Sequence, residues 1–486
     1  MTVASGFVFY REKIMKNITI SLNNMHNGTF KGWGTSLCWW ANRVGYSEKI
    51  TRDSGRLFFS EEGLGMNIMR YNIGGGDDPT HNHITRTDSD MPGWLKKDEN
   101  GELYYDYTAD ENQLNILEEC YRAAGKNAYV EAFSNSPPYF MTVSGCSSGS
   151  KSAIANNLKK SCITDFAEYL AHVSKYINDE MGIKISSLAA MNEPYTNYWR
   201  AYSPKQEGCH VSPGKMQSTL LIETAKAMKN AGLWGVDITA SDETNTVLQN
   251  IACKKLTDEA WDVVDRVSTH TYSKATPKIR ETCEKKNKPL WMTETDWSNT
   301  AGENAGEMGA GLWLSKKIIE DLNTLHAEAW VIWQIMAGYI SKYEYKGRRD
   351  PEQLPDLNEG YWGVAFPDMD TEEIFLTQKY YAFGQFSRYI RPGMKLISVD
   401  KSSIAAFDGK ENKAVLVCIN DKAQSQHFGV KFDMFTSIED VSAVRTSGNS
   451  ADGEKWKKFD HIATIDNGFI AHLKANSITT YVVQGE

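Results

Sequence analysis

The sequence predicts an α/β protein: a (β/α)8 TIM barrel with an attached β-sandwich side domain. Three observations carry this prediction. Between residues 31 and 385, short apolar runs of strand character alternate with segments of helical periodicity, and such alternation implies parallel pairing. The runs number eight, the count at which a parallel sheet closes on itself. After Gly393 the texture changes to short β-rich runs separated by Gly, Asn and Asp with no helices between them, as in a sandwich.

The eight barrel runs, in order, are "GWGTSL", "MNIMRYNIGG", "AYVEAFSN", "SSLAAMNEP", "VDITASDE", "RVSTHTY", "PLWMTETD" and "AWVIWQ". Helical stretches fall between them. Phe166, Leu170, Val173 and Ile177 share one face at helical spacing. A second helix, over Met216 to Asn230, should stop at Ala231-Gly232. The structural competitor is an open doubly wound sheet, which should carry a glycine fingerprint between its first strand and helix. "NIGGGDD" (Asn72 to Asp78) does not match that fingerprint and follows the second strand, so it reads as a loop. In the tail, "SSIAAFDG", "AVLVCIND", "HFGVKFD", "HIATIDNG" and "SITTYVVQG" read as strands. "NITISLN" alternates Ile18, Ile20 and Leu22 with polar residues ahead of the barrel. It is expected to join the tail, giving a barrel over 31–385 and a side domain from residues 1–30 plus 386–486.

Bulk properties narrow the function. A formal net charge of -9 argues against a nucleic-acid or anionic-membrane binder. No apolar run reaches the roughly 20 residues of a membrane span. The opening "MTVASGFVFYREKIMKN" lacks a basic segment followed by a sustained apolar one. As read, the chain is therefore expected to be cytoplasmic, or secreted if a leader has been removed. Fourteen Trp and twenty-three Tyr supply flat surfaces on which the CH faces of sugars pack. The eight cysteines are scattered without a CxxC pair and read as buried thiols. Cys209-His210 has no partners at metal-ligand spacing.

In barrels of this kind the active site forms at the C-terminal ends of the strands, so what each strand delivers there is a functional reading. Strand two ends near Arg70, strand three near Asn135 and strand four at Asn192-Glu193. Strand six delivers His270 and Tyr272, strand seven Glu294 (in "WMTETDWS"), and strand eight Trp333 and Gln334. Two carboxylates thus arrive from strands four and seven, across the mouth from each other. Each alone could be a surface ion pair or a turn residue, and a buried unpaired carboxylate is costly. Arriving together, they suit glycosidic-bond cleavage, in which one carboxyl protonates the leaving oxygen while the other attacks or activates water. That chemistry requires no metal and no cofactor. His270 and Tyr272 taken singly read as core-edge residues, and of the rings of Trp39 and Trp40 at most one should face a ligand.

The runs "GWGTSLCWWA", "MRYNIGGG", "NSPPYFMTVSG", "MNEP", "KQEGCH" and "WMTETD" together resemble glycoside hydrolase family 30, in particular its β-1,6-galactanase branch, over nearly the whole chain. The resemblance implies a retaining glycosidase acting on an oligosaccharide or polysaccharide, with Glu193 as general acid/base and Glu294 as nucleophile. It further implies that Asn192 binds the 2-hydroxyl, that Tyr272 donates to Glu294 and orients it, that Arg70 lowers the pKa of Glu294 by its charge, and that Trp333 floors the subsite of the attacked sugar. Trp39, Trp40, Tyr195, Trp199, Glu207 and His210 are candidates for the cleft by the same likeness. β-1,6-Glucan and glucuronoxylan are the alternative substrates within the family, and endo or exo action and oligomeric state stay open. Two readings from other classes are a non-catalytic carbohydrate-binding barrel and a lyase or aldolase. The lyase would need a strand-end lysine for its Schiff base, and none of the eight strand ends carries one.

Overall fold

The computed structural model describes residues 17–486 apart from 82, 87, 297–307, 346–347, 351 and 353–361. Residues 1–16 of the expected side domain and Trp297-Ser298 of the strand-seven motif lie outside the described residues. Eight parallel strands close into a barrel in chain order: Gly32–Ser36, Ile68–Asn72, Tyr129–Phe133, Ile185–Ala189, Asp237–Glu243, Arg266–His270, Leu290–Glu294 and Ala329–Gln334. The last pairs with the first, Trp330 opposite Trp33. Nearly every strand residue is buried, because the lumen covers one face and helices the other. That is why these runs do not alternate apolar residues with solvent-facing polar ones.

The helix Ile163–Asp179 buries Phe166, Leu170, Val173 and Ile177. The helix Lys215–Asn230 ends at Ala231, and Gly232 follows with φ +85°, a left-handed conformation that costs glycine little. Among the described residues, no helix is long and apolar enough to cross a membrane.

The side domain holds two sheets. Six strands lie in the order Lys395–Asp400, Ser403–Asp408, Lys413–Asn420, Ser477–Gly485, Ile438–Ser447, Glu454–Phe459. The second sheet orders Asn17–Ile20, Gln426–Phe432, Gly468–Leu473 and Thr464–Ile465. Ile18, Ile20, Val430 and Phe469 from the four-stranded sheet share one core with Leu416, Ala443, Tyr481 and Val483 from the other, which makes this a sandwich. Asn17–Ile20 pairs in parallel with Gly429–Phe432, so segments from before and after the barrel share one sheet. The helix Gln378–Ser387 joins barrel to sandwich. Trp456 packs against Gly384, where any Cβ would lie 2.3 Å from its ring, and its Nε1 donates to the Tyr381 carbonyl at 2.8 Å.

Candidate active site

At the C-terminal mouth of the barrel a cleft of about 500 Å³ is lined by Trp39, Asn192, Glu193, Trp199, Tyr272, Glu294 and Trp333, among others. Glu294 is the last residue of strand seven and is buried. Both of its oxygens are held: Arg70 Nη1 donates to Oε2 at 2.9 Å, and the Tyr272 hydroxyl to Oε1 at 2.8 Å. Glu193 stands beyond the end of strand four, with φ +47°, its N–H donating to the Asp242 carbonyl at 2.8 Å. The Tyr198 hydroxyl donates to Glu193 Oε2. His270 lies between the two carboxyls, its Nδ1 3.1 Å from Glu193 Oε1 and 3.4 Å from Glu294 Oε1. An oxygen of Glu193 comes within 4.8 Å of one of Glu294.

Beneath the pair lies a buried charge network. Arg70 spans Glu131 at 3.2 Å, Asp242 at 2.6 Å and Glu294 at 2.9 Å, and Arg266 pairs with Glu131 from below. His270 Nε2 faces Asp242 Oδ1 at 3.3 Å. Burial pulls the His270 imidazole down, yet the carboxylates of Glu294 and Asp242 outweigh it and hold its pKa at about 10. Burial opposes the charge on Asp242 too, but Arg70 and His270 depress its carboxyl well below the usual range. Burial is also the largest influence on the pair above. It raises Glu294, helped by repulsion from Glu193 and Asp242 and opposed by His270 and Arg70. For Glu193, the hydrogen bond and charge of His270 outweigh burial and lower the carboxyl. Four carboxyls (Glu131, Asp242, Glu193, Glu294) thus face three cations (Arg70, Arg266, His270). The network is electrically balanced when the glutamate pair holds one proton, the condition that acid catalysis by one and nucleophilic attack by the other both need.

The other sequence candidates divide. Asn192 lines the cleft, its Oδ1 3.4 Å from Arg70 Nη2. Trp39 meets Trp333 edge to face at 5.0 Å, with the Arg86 guanidinium 4.1 Å over its ring. Trp199 lines the cleft and its Nε1 donates to the Glu193 carbonyl at 2.9 Å. Trp40 is instead core: it begins a helix, packs on Phe58 and donates to the Ser36 carbonyl. Successive helical residues diverge by about 100°, so the two rings part. Asn135 sits behind the cleft against Asn72 and Cys38. Tyr195 packs on His210, whose Nδ1 lies 2.9 Å from the Thr196 carbonyl, and neither lines the cleft. Glu207 turns away as well, accepting the Gly75 and Gly76 N–H groups at 3.0 Å each.

Sequence reasoning missed Asp242, Tyr198, Arg86, Lys205 and Trp362. Only Asp242 carried a usable signal, an acidic residue at the end of an apolar run.

The family model for O-glycosyl hydrolase family 30 matches residues 15–287. An endo-β-1,6-galactanase of Hypocrea rufa is 25% identical, over 99% of this chain and 97% of its own length. An exo-β-1,6-galactobiohydrolase of Bifidobacterium longum subsp. longum is also 25% identical over 75% of this chain, which spans 30% of that longer protein. Among solved structures, a conserved exported protein of Bacteroides fragilis superposes with a TM-score of 0.75 at 18% identity, covering 96% of this chain and 100% of that one. The catalytic domain of a family 30 xylanase from Talaromyces cellulolyticus does so with a TM-score of 0.72 at 20% identity, again covering 96% and 100%.

Proposed function

This chain is a glycoside hydrolase belonging to family 30, and on that premise we propose that it cleaves β-1,6-linked galactose chains by double displacement with retention. The observation that carries the mechanism is the separation of the two carboxyls, with oxygens within 4.8 Å of one another. Retaining enzymes place the pair about 5–5.5 Å apart, whereas inverting ones leave roughly 6.5–9.5 Å for a water.

The roles follow from how each glutamate is held. A nucleophile must meet the anomeric carbon in one orientation, and Glu294 is fixed through both oxygens by Arg70 and Tyr272. Glu193 stands on a loop and serves as the acid that protonates the leaving oxygen, then as the base that takes a proton from the attacking water. In the ligand-free site the pulls favour the shared proton on Glu294. A glycosidic oxygen arriving at Glu193 adds an acceptor for its protonated form, which raises that carboxyl and draws the proton across. Glu294 is then ionised against Arg70 and His270 as the bond breaks. We assign Asn192, which lines the cleft beside Arg70, to the 2-hydroxyl of the attacked sugar, and Trp333 with Trp39, which line the same cleft, to its apolar wall.

The substrate reading draws on the endo-β-1,6-galactanase that matches end to end. The test is digestion of β-1,6-galactan, β-1,6-glucan and glucuronoxylan by the wild type and Glu294→Gln, with product sizing. Galactan should be released as short oligosaccharides. The variant should lose roughly 10⁴-fold or more in kcat while keeping its fold, and in Glu294→Ala, whose shortened side chain leaves room at the anomeric carbon, azide should partly restore cleavage of an activated galactoside, giving the inverted glycosyl azide. Preferential attack on glucan or xylan would overturn the substrate. Full activity in the variant would overturn the roles, and saturable binding without product would favour a carbohydrate-binding barrel.

A further inference from the structure

The lining of the catalytic cleft divides between two sides of the barrel mouth. Trp39 and Trp333 stand at the ends of strands one and eight, beside the strand that delivers Glu294. Tyr198, Ser203, Lys205 and Gln206 come instead from the loop after strand four, which also carries Glu193. Glu294 attacks the anomeric carbon, so the attacked sugar belongs to the first side. Glu193 protonates the oxygen that departs, so the leaving sugar belongs over the second.

On that second side Tyr198 is 45% exposed, and its ring meets Trp199 edge to face with centroids 4.6 Å apart. Trp199 is fixed. Its Nε1 donates to the Glu193 carbonyl, its own carbonyl accepts from the Ser150 N–H at 3.3 Å, and Gly208 lies close against its ring. Tyr198 thus rests on a rigid support and keeps ring surface in the cleft, where the CH face of a sugar can pack. Its hydroxyl donates to Glu193 Oε2, while Oε1 faces His270 Nδ1 at 3.1 Å. An acid hands over its proton through an oxygen that the leaving group can reach. Oε1 is tied to a buried imidazolium that Asp242 also holds, which leaves Oε2 for the glycosidic oxygen. The Tyr198 hydroxyl stands where that oxygen must arrive.

We propose that Tyr198 forms the subsite of the leaving sugar: that sugar packs on its ring and takes Glu193 Oε2 from its hydroxyl, which turns to a hydroxyl of the sugar instead. The inference rests on the roles given above to Glu193 and Glu294. Lys205, whose ammonium interacts with both glutamates, adds a donor to sugar hydroxyls on the same side. The exchange links binding to proton transfer. While the Tyr198 hydroxyl donates to Oε2 it favours the ionised carboxyl; once it leaves, Glu193 holds the proton that passes to the glycosidic oxygen as the bond to the anomeric carbon breaks. The other charged groups facing Glu193 are His270 from strand six, Glu294 from strand seven and Glu243 from strand five, all of which a Tyr198 substitution leaves in place.

The test compares β-1,6-galactotetraose, whose leaving group is a sugar, with β-1,6-galactobiosyl fluoride, whose leaving group is too small to fill a subsite. Tyr198→Ala should lower kcat/KM on the tetraose by about 10–100-fold, as expected for losing the burial of one large side chain, and the loss should exceed that on the fluoride by at least about tenfold. Tyr198→Phe keeps the ring and loses the hydroxyl. With a donor to the ionised carboxyl gone, the glutamate pair holds its proton more tightly, and the alkaline limb of kcat/KM on the tetraose should move up by about one pH unit. Equal losses on both substrates would show that Tyr198 merely supports its loop, and an unmoved limb that its hydroxyl does not govern Glu193; either result overturns the proposal. If the wild type refuses the galactosyl pair and cleaves β-1,6-glucotetraose, the substrate reading fails, and the same comparison on the glucosyl tetraose and fluoride decides the role of Tyr198.

Discussion

Asp242→Asn isolates the electrostatics beneath the glutamate pair. The side chain is fully buried, 2.6 Å from Arg70 and 3.3 Å from His270, and the substitution removes one negative charge while keeping the shape. At 3.3 Å, two unit charges interact by about 5 kcal/mol at an effective dielectric of 20, an upper figure of between 3 and 4 pKa units at about 1.4 kcal/mol each. A single charged neighbour more often moves a pKa by about 1–3 units, so His270 should fall by about 2 from its value near 10. The amide cannot suit all its neighbours, because its NH2 must face either the Arg70 guanidinium or the side on which Thr293 donates to Oδ1 at 2.6 Å. Breaking a buried pair should therefore also cost about 3–5 kcal/mol of stability. The assay is kcat/KM against pH, with the His270 ring followed by NMR. His270 supports the pair as an imidazolium, which exists below its pKa, so the alkaline limb should move about 2 units toward lower pH. If the limb and the ring titration both stay where they are in the wild type, the charge network does not act as argued.

Two further predictions concern residues around the pair. Burial raises the Glu243 carboxyl to about 8, so the folded state favours its protonated form. That contribution to stability is complete below the ordinary value near 4.5 and is lost as pH rises through about 8, a change of about 5 kcal/mol. Glu243→Gln should flatten the dependence of unfolding free energy on pH across this window, and an unchanged slope would refute the assignment. Gly208→Ala would set a Cβ 2.1 Å from the Trp199 ring, whose Nε1 donates to the Glu193 carbonyl. Overpacking should cost about 1–3 kcal/mol and shift Glu193 enough to lower kcat. A variant with wild-type denaturation midpoint and kcat would show that the ring has room to move.

The barrel was legible because its strands are buried on both faces, so each run is short, rich in apolar residues and free of the alternation with solvent-facing polar ones. The sandwich was harder. Glu454–Phe459 reads "EKWKKF", four charges in six residues, because it is a sheet edge that faces water and uses Trp456 to grip the barrel helix. Glu193 and Glu294 were legible as carboxyls ending apolar runs, and Asp242 stood in the same position in "VDITASDE" without being singled out. His270 could not be distinguished from a core-edge histidine, since its role exists only where strands four, five, six and seven converge. Glu207, His210 and Asn135 show the reverse limit. Their motifs lie beside the cleft, but the side chains satisfy loop backbone or neighbouring amides, and only coordinates reveal which way a loop residue turns.

The strand Asn17–Ile20 finds its partner only at Gly429–Phe432, and the first barrel strand closes on the eighth. At a synthesis rate of about 5–20 residues per second, the late partners leave the ribosome tens of seconds after the early strands. Both N-terminal strands must therefore wait as open edges, a hazard for aggregation. The enzyme cannot be matured piece by piece from its start. Those late strands act as the clasps, and truncations that remove Gln426–Phe432 should harm solubility out of proportion to the residues removed.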